Sequence, residues 1–297
     1  MSGPTHPLIV AEIGCNHAGD MKVAREMIES AARFAKADFV KFQKRCNREL
    51  LTPEEYAAPH PNVANSFGDT YGAHREFLEF DVAQHRQLMA WCEEFGIGYS
   101  TSVWDMTSAR EMAALNPKML KVPSACNLHF EMLELLAREY AGEIHISFGM
   151  TTRDEQDQIV ALFERLGVAD RVVLYACTSG YPVPFDQVHL LEISLLKGRY
   201  GHRVKEIGFS GHHLGIAADI AAIALGATWV ERHFTLDRTA KGTDHAASLE
   251  PDGLRKLVRD VAAVSAALTR KPTDIVDIEI AQRAKLKRMP GVHLNRT

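Results

Sequence analysis

Eight short apolar runs, each followed by a stretch of helical periodicity, recur along this chain of 297 residues, and few folds accept that pattern. The runs are Pro7 to Gly14, Phe39 to Gln43, Gly98 to Ser102, Met119 to Pro123, Ile144 to Gly149, Val172 to Cys177, Ile207 to His213 and Val230 to Phe234. After the first run Asp20 stands at a cap position. Ala24, Met27, Ile28, Ala31 and Ala35 then follow at helical spacing and share one apolar face. The same reading places helices over Val82 to Phe95, Asp105 to Leu115, Phe130 to Glu139, Asp154 to Leu166 behind a Thr152 cap, Asp186 to Leu196, Ile216 to Leu225, and Pro251 to Leu268. Strict alternation of this kind predicts an α/β fold, a (β/α)8 TIM barrel. An open, doubly wound sheet is the runner-up, and the lack of GxGxxG after the first run counts against it. Residues 1–270 are assigned to the barrel and residues 271–297 to a C-terminal tail or arm.

Charge and cysteine usage narrow the function. Thirty-four basic residues against 38 acidic ones give a net charge of −4 without a dense basic stripe, which argues against nucleic acid or an anionic membrane as partner. The five cysteines, Cys15, Cys46, Cys92, Cys126 and Cys177, are odd in number and lack CxxC spacing, so reduced thiols and a cytoplasmic location are expected. Glu12 interrupts the first apolar run, so it is not read as a signal peptide. Asp219 interrupts the most apolar stretch, Ile216 to Val230, which is too short to span a bilayer.

Barrel enzymes keep their chemistry at the carboxyl ends of the strands. The polar residues there are Glu12, Asn16, Lys41, Gln43, Thr101, Lys121, Ser124, Ser147, Ser179, Tyr181, Ser210, His212 and His233, with Asp244 in the loop after the last strand. A lysine inside an apolar strand is costly unless paired, so Lys41 and Lys121 point to an anion. Together with the hydroxyls they suit a phosphate or carboxylate ligand. Each hydroxyl alone also reads as a turn or cap. The period of two puts Ser210 with His212, and Glu231 with His233, on shared faces. Two imidazoles at neighbouring strand ends suggest a metal site, while residue type alone equally allows one capping and one core histidine. Lys44 to Phe80 is too long for an ordinary connection and reads as a functional lid or a disordered segment, carrying His60, His74 and Arg75.

Several motifs resemble those of the sialic acid synthase (N-acetylneuraminate synthase) family. They are Ala11-Glu12-Ile13-Gly14-Cys15-Asn16-His17-Ala18-Gly19-Asp20, Val40-Lys41-Phe42-Gln43, Ser210-Gly211-His212-His213 and Glu231-Arg232-His233-Phe234-Thr235, followed by Asp244 and Ser248-Leu249-Glu250-Pro251. The likeness runs in order from about Pro7 to Leu268. It implies a barrel that condenses phosphoenolpyruvate with an N-acylated aldose such as N-acetylmannosamine, giving a nonulosonic acid and phosphate. By position, His212 and His233 are the implied ligands of a divalent metal, manganese first, with zinc, magnesium or cobalt as alternatives. Lys41, Thr101, Lys121, Ser124, Ser147, Ser179 and Ser210 are implied to hold phosphoenolpyruvate; Gln43, Tyr181 and Asp244 to meet the sugar; and Glu12 and Asp244 to act in catalysis.

The chain departs from the family pattern at Cys126, where an acidic residue is common, at Gly211, where aspartate is frequent, and at Ser179, where asparagine is frequent. No stretch resembles the small antifreeze-like domain that the family typically appends. A homodimer is expected, with the tail crossing to the neighbour. The alternatives are an aldolase or lyase acting on a 2-keto-3-deoxy sugar acid, or an inactive sugar-phosphate-binding protein of a polysaccharide pathway.

Overall fold

A computed structural model describes residues 6–288. Its strands follow one another around a closed parallel barrel: β1 (Leu8–Gly14), β2 (Phe39–Lys44), β3 (Gly98–Val103), β4 (Met119–Val122), β5 (Glu143–Ser147), β6 (Val172–Cys177), β7 (Glu206–Gly211) and β8 (Trp229–His233). β8 pairs back onto β1, with Leu8 opposite Trp229 and Glu12 opposite His233, so the sheet has no edge and the open-sheet alternative is excluded. Alternation along each strand sorts the side chains. Val10, Phe39, Met119, Val173, Tyr175 and Trp229 point inward and plug the lower barrel. Ile9, Ala11, Val40, Phe42, Leu120 and Ile146 point outward into the larger core beneath the helices. Each large apolar side chain buried there is worth roughly 1.5–3 kcal/mol. The plug fills the lower barrel, and the polar inward positions lie above it.

The helices are α1 (Met21–Glu29), α2 (Asn47–Leu50), α3 (Pro53–Ala57), α4 (Tyr71–Leu78), α5 (Val82–Phe95), α6 (Met106–Leu115), α7 (Phe130–Glu139), α8 (Arg153–Arg165), α9 (Leu191–Tyr200), α10 (Ala217–Ala224), α11 (Pro251–Ala267) and α12 (Asp277–Leu286). Capping explains several boundaries. Asp20 accepts from the Lys22 N–H before α1. Asp81 with Gln84, and Thr152 with Glu155, form reciprocal capping boxes before α5 and α8. Gly96 stops α5 at a φ of 70°, the left-handed conformation that glycine adopts without strain. α1 continues as a π-helical turn from Ser30 to Ala35.

One expectation changes, and one open pair of alternatives is narrowed to the lid. The helix read over Asp186 to Leu196 begins only at Leu191, because a short 3-10 turn at Phe185–Gln187 and a positive φ of 53° at His189 carry the proline-rich loop further. The segment Lys44 to Phe80 is ordered. α2 to α4 fold it over the barrel mouth, with α3 fixed by the Thr52–Glu55 capping box and Pro53 at its first position. Phe80 anchors its end by stacking on the His17 ring at 4.1 Å. In the tail, α12 buries none of its residues, and Ile278 is 82% exposed. Residues 289–297 of the expected tail and 1–5 of the expected barrel region lie outside the described residues.

Candidate active site

The inward positions just above the apolar plug form a chain of alternating charge. Lys41 Nζ lies 2.7 Å from Glu12 Oε2 and 3.7 Å from Glu231 Oε1, and it donates to Ser102 Oγ at 2.7 Å. Lys121 Nζ donates to Glu231 Oε2 at 2.9 Å and sits 3.5 Å from the centre of the Tyr175 ring. Ser210 donates to Glu231 Oε1 at 3.1 Å, and Gln43 donates to Glu12 Oε1 at 3.1 Å. All four charged groups are buried. The strand register causes this meeting, since it sets Glu12 opposite Lys41 and His233, Ser102 opposite Lys121, and Ser210 opposite Glu231.

The two carboxylates differ in character. Burial raises the proton affinity of Glu12, and the Lys41 ammonium only partly opposes it. Burial acts on Glu231 in the same sense, but Lys121 and Lys41 together outweigh it and hold this carboxyl well below the usual carboxylate range. Glu231 is thus a fixed anion and Glu12 the more easily protonated acid, a division suited to one structural and one reactive role. Burial lowers the Lys121 ammonium, with Glu231 opposing, whereas Glu12 and Glu231 overcome burial and raise that of Lys41.

A hydroxyl-lined wall rises beside Lys121. Ser124, Ser147, Ser179 and Ser210 all face the cavity. Gly149 brings Ser124 and Ser179 together, because a Cβ there would lie 2.5 Å from both hydroxyl oxygens. Asn127 holds this turn by donating to the carbonyls of Ser147 and Gly149. Opposite it, the His212 and His233 rings lie 5.4 Å apart, with Tyr181 4.3 Å from the former and 5.7 Å from the latter. His212 Nδ1 bonds the Thr178 carbonyl at 3.1 Å, which puts the hydrogen on Nδ1 and leaves Nε2 as a lone-pair donor. Burial, with the nearby His233, lowers His212 to about 3 and keeps it neutral. His233 Nδ1 is buried without a hydrogen-bond partner, and Asp244 Oδ2 lies 3.8 Å away.

Two imidazoles with nitrogens free of hydrogen bonds fit a divalent cation that fills its remaining positions with ligand oxygens. Among the described residues no group of three or more histidine, cysteine or acidic side chains could hold a metal ion by itself. Behind this pair, Arg232 binds Asp219, the His213 carbonyl at 2.6 Å and the Gly215 carbonyl at 2.7 Å, and so braces the loop that carries His212.

All but one of the expected site residues line a single cavity of about 480 Å³: Glu12, Lys41, Gln43, Lys121, Ser124, Ser147, Ser179, Tyr181, Ser210, His212, His233 and Asp244. The exception is Thr101. It sits on the opposite face of β3 from Ser100 and Ser102, away from the cavity, and Ser102 takes the place on Lys41. Asn16 serves structure, donating to the Phe234 carbonyl and to Ser248. Cys126 lies off the cavity. Gly211 is packed so closely that a Cβ would come 2.8 Å from the Phe209 ring. Glu231 was not among the candidates, although its shared face with His233 was visible in the period of two. Arg45, Trp104 and Tyr71 also line the cavity, and no strand pattern announced them.

A sequence profile of the NeuB family matches residues 27–273. The N-acetylneuraminate-9-phosphate synthase of Homo sapiens is 39% identical over 290 residues, covering 96% of this chain and 77% of that protein. The N,N'-diacetyllegionaminic acid synthase of Campylobacter jejuni is 32% identical over 262 residues, covering 88% and 77%. The crystal structure of N-acetylneuraminic acid (sialic acid) synthetase from Leptospira borgpetersenii serovar Hardjo-bovis in complex with citrate superposes with a TM-score of 0.80 at 28% identity, covering 97% of this chain and 94% of that one.

Proposed function

This chain belongs to the NeuB family, and from that premise we propose that it condenses phosphoenolpyruvate with an N-acylated amino sugar to give a nonulosonic acid and phosphate. The observation that carries the reading is the pairing of Lys41 and Lys121 under a wall of serines, facing two free imidazole nitrogens across one cavity. The two ammonium groups and the hydroxyls of Ser124, Ser147, Ser179 and Ser210 suit the phosphate and carboxylate of phosphoenolpyruvate. Ser102 and Glu231 orient the lysines from below.

In this reaction C3 of the enol forms the new bond to the aldehyde carbon, whose oxygen gains a proton. Water then adds at the cationic C2 carbon, and phosphate leaves with the C2–O bond electrons to yield the ketone. Glu12 is the group for that centre. Held at the barrel axis by Lys41 and Gln43, it stabilises the cation and takes the proton of the attacking water. Its raised proton affinity favours accepting that proton. Asp244 and Tyr181 would contact the sugar and, with His212 and His233, close the mouth. A divalent metal, manganese in this reading, would be held by His212 and His233 and would polarise the acceptor carbonyl as a Lewis acid. Among the described residues no helix is long and apolar enough to cross a membrane, and all five cysteines are unbridged, which suits a cytoplasmic enzyme.

The test is phosphate release from phosphoenolpyruvate against a panel of aldoses, with manganese and after chelation. Release that needs both an N-acylated amino sugar and the metal supports the proposal. Cleavage of a 2-keto-3-deoxy acid to pyruvate, with phosphoenolpyruvate untouched, would replace it by the lyase alternative.

A further inference from the structure

Arg232 carries a buried charge that the proposed chemistry does not use. It stands on β8 between Glu231 and His233, which both line the cavity, so alternation turns it outward, into the layer between β8 and α10. Asp219 of α10 meets it there, and both side chains are fully shielded from solvent. The same guanidinium donates to the carbonyls of His213 at 2.6 Å and Gly215 at 2.7 Å, and its Nη1 lies 3.1 Å from His213 Nε2. Both carbonyls belong to the turn 212–216 that joins β7 to α10. Gly211 leaves room for this turn, since a Cβ there would come 2.9 Å from the His213 ring.

Stability alone gives the arrangement little reason to exist. Replacing a buried ion pair by apolar side chains of similar volume is often neutral or stabilising. This one also leaves Asp219 Oδ1, Arg232 Nε and His213 Nδ1 buried without partners, which is destabilising. What only a guanidinium provides is its planar fork, which reaches a carboxylate and two carbonyls from one group. The chain neighbours of those contacts give the fork a use. His212 immediately precedes the first carbonyl, His233 immediately follows Arg232, and the two rings lie 5.4 Å apart. The β7–β8 pairing runs as far as Gly211 opposite Arg232, and beyond that pair the fork takes over the link. It ties the backbone that carries one imidazole to the backbone that carries the other.

Resting on the metal reading above, we propose that Arg232, anchored by Asp219, is a positioning residue that sets the separation of His212 and His233 and through it the affinity of that pair for a divalent cation. Arg232 itself touches neither the cavity nor its contents.

Manganese titration of the protein without substrates tests this, with His212→Ala marking the site. Arg232→Lys keeps a partner for Asp219 but cannot span both carbonyls, and it should weaken manganese binding roughly tenfold. Asp219→Leu combined with Arg232→Met removes both charges together, so it should fold with near-parent stability and still show that weakening. Metal-free affinity for phosphoenolpyruvate should stay at the parent value in both variants. Parent-like manganese affinity in either one overturns the proposal, because a merely structural pair would be fully replaced by the apolar one. Imidazole nitrogen NMR of the metal-free protein gives a second reading. Parent His212 should appear as the Nδ1–H form held by the Thr178 carbonyl, and Arg232→Lys should mix its tautomers. Unchanged His212 signals in Arg232→Lys overturn the proposal even where the double variant does not fold. If manganese binding by the parent ignores His212→Ala, the metal reading fails, and the NMR comparison alone then decides whether Arg232 positions His212.

Discussion

Replacing Glu231 by glutamine removes the anion that two buried ammonium groups share. Glu231 accepts Lys121 at 2.9 Å and lies 3.7 Å from Lys41, while Glu12 supports only Lys41. At 2.9 Å and an effective dielectric constant of about 20 the Lys121 pair alone is worth on the order of 6 kcal/mol of gross attraction. Glutamine keeps a hydrogen-bond acceptor, and Lys121 escapes part of the cost by giving up a proton that burial already loosens. The expected net loss of stability is therefore about 3 kcal/mol, the lower end of what breaking a buried pair costs. Urea unfolding of Glu231→Gln at pH 7 measures it, and Lys121→Met combined with Glu231→Gln completes the cycle. The double variant should be less damaged than the sum of the two single ones by at least about 1 kcal/mol, since neither partner is left as a lone buried charge. Affinity for phosphoenolpyruvate should fall in Glu231→Gln at neutral pH, because a deprotonated Lys121 offers no charge. A loss below about 1 kcal/mol, or strict additivity in the cycle, would show that the network is not coupled as described.

Glu12→Gln is expected to cut turnover by roughly 10²–10⁴-fold while phosphoenolpyruvate binding is largely kept; weakened binding with normal turnover of the bound complex would reassign Glu12 to an ion pair alone. Ser102→Ala should weaken phosphoenolpyruvate binding by releasing Lys41, whereas Thr101→Val should leave both kinetic constants near those of the parent. The reverse ranking would contradict the strand parity. His145 is fully buried and lowered to about 4, mainly by burial. The unfolded chain takes up this proton near pH 6.5 and the folded chain only near 4, so stability falls as pH drops through that window and levels off below it. That is about 3 kcal/mol. His145→Gln should flatten the stability curve there by about one proton, and an unchanged slope would contradict the assignment.

The barrel was legible because its signal is periodic. Runs of Val, Ile, Leu and Phe alternating with capped helices leave few architectures, and the closed order of eight strands matches that reading. Lys41, Lys121 and Glu12 could be found because a charge inside an apolar strand needs a reason. Thr101 was misplaced where two hydroxyl residues stand side by side, since only parity separates the cavity-facing Ser102 from its neighbour. Glu231 was hidden by His233, which drew attention to its strand. The far wall was legible only in part: His60, His74 and Arg75 were marked on a possible lid, but Arg45, Tyr71 and Trp104 were not, because α2 to α4 are short helices whose approach to Trp104 depends on tertiary packing that no local pattern records.

Product analysis of one reaction mixture tests the central claim most directly. Phosphoenolpyruvate, manganese and N-acetylmannosamine, free or phosphorylated, are incubated with the protein, and phosphate and organic products are followed together. The account predicts one phosphate released for each new 2-keto acid, whose mass equals both substrates plus water minus phosphoric acid. Phosphate accompanied by free pyruvate and an unchanged sugar, or no consumption of phosphoenolpyruvate with any amino sugar, would contradict it.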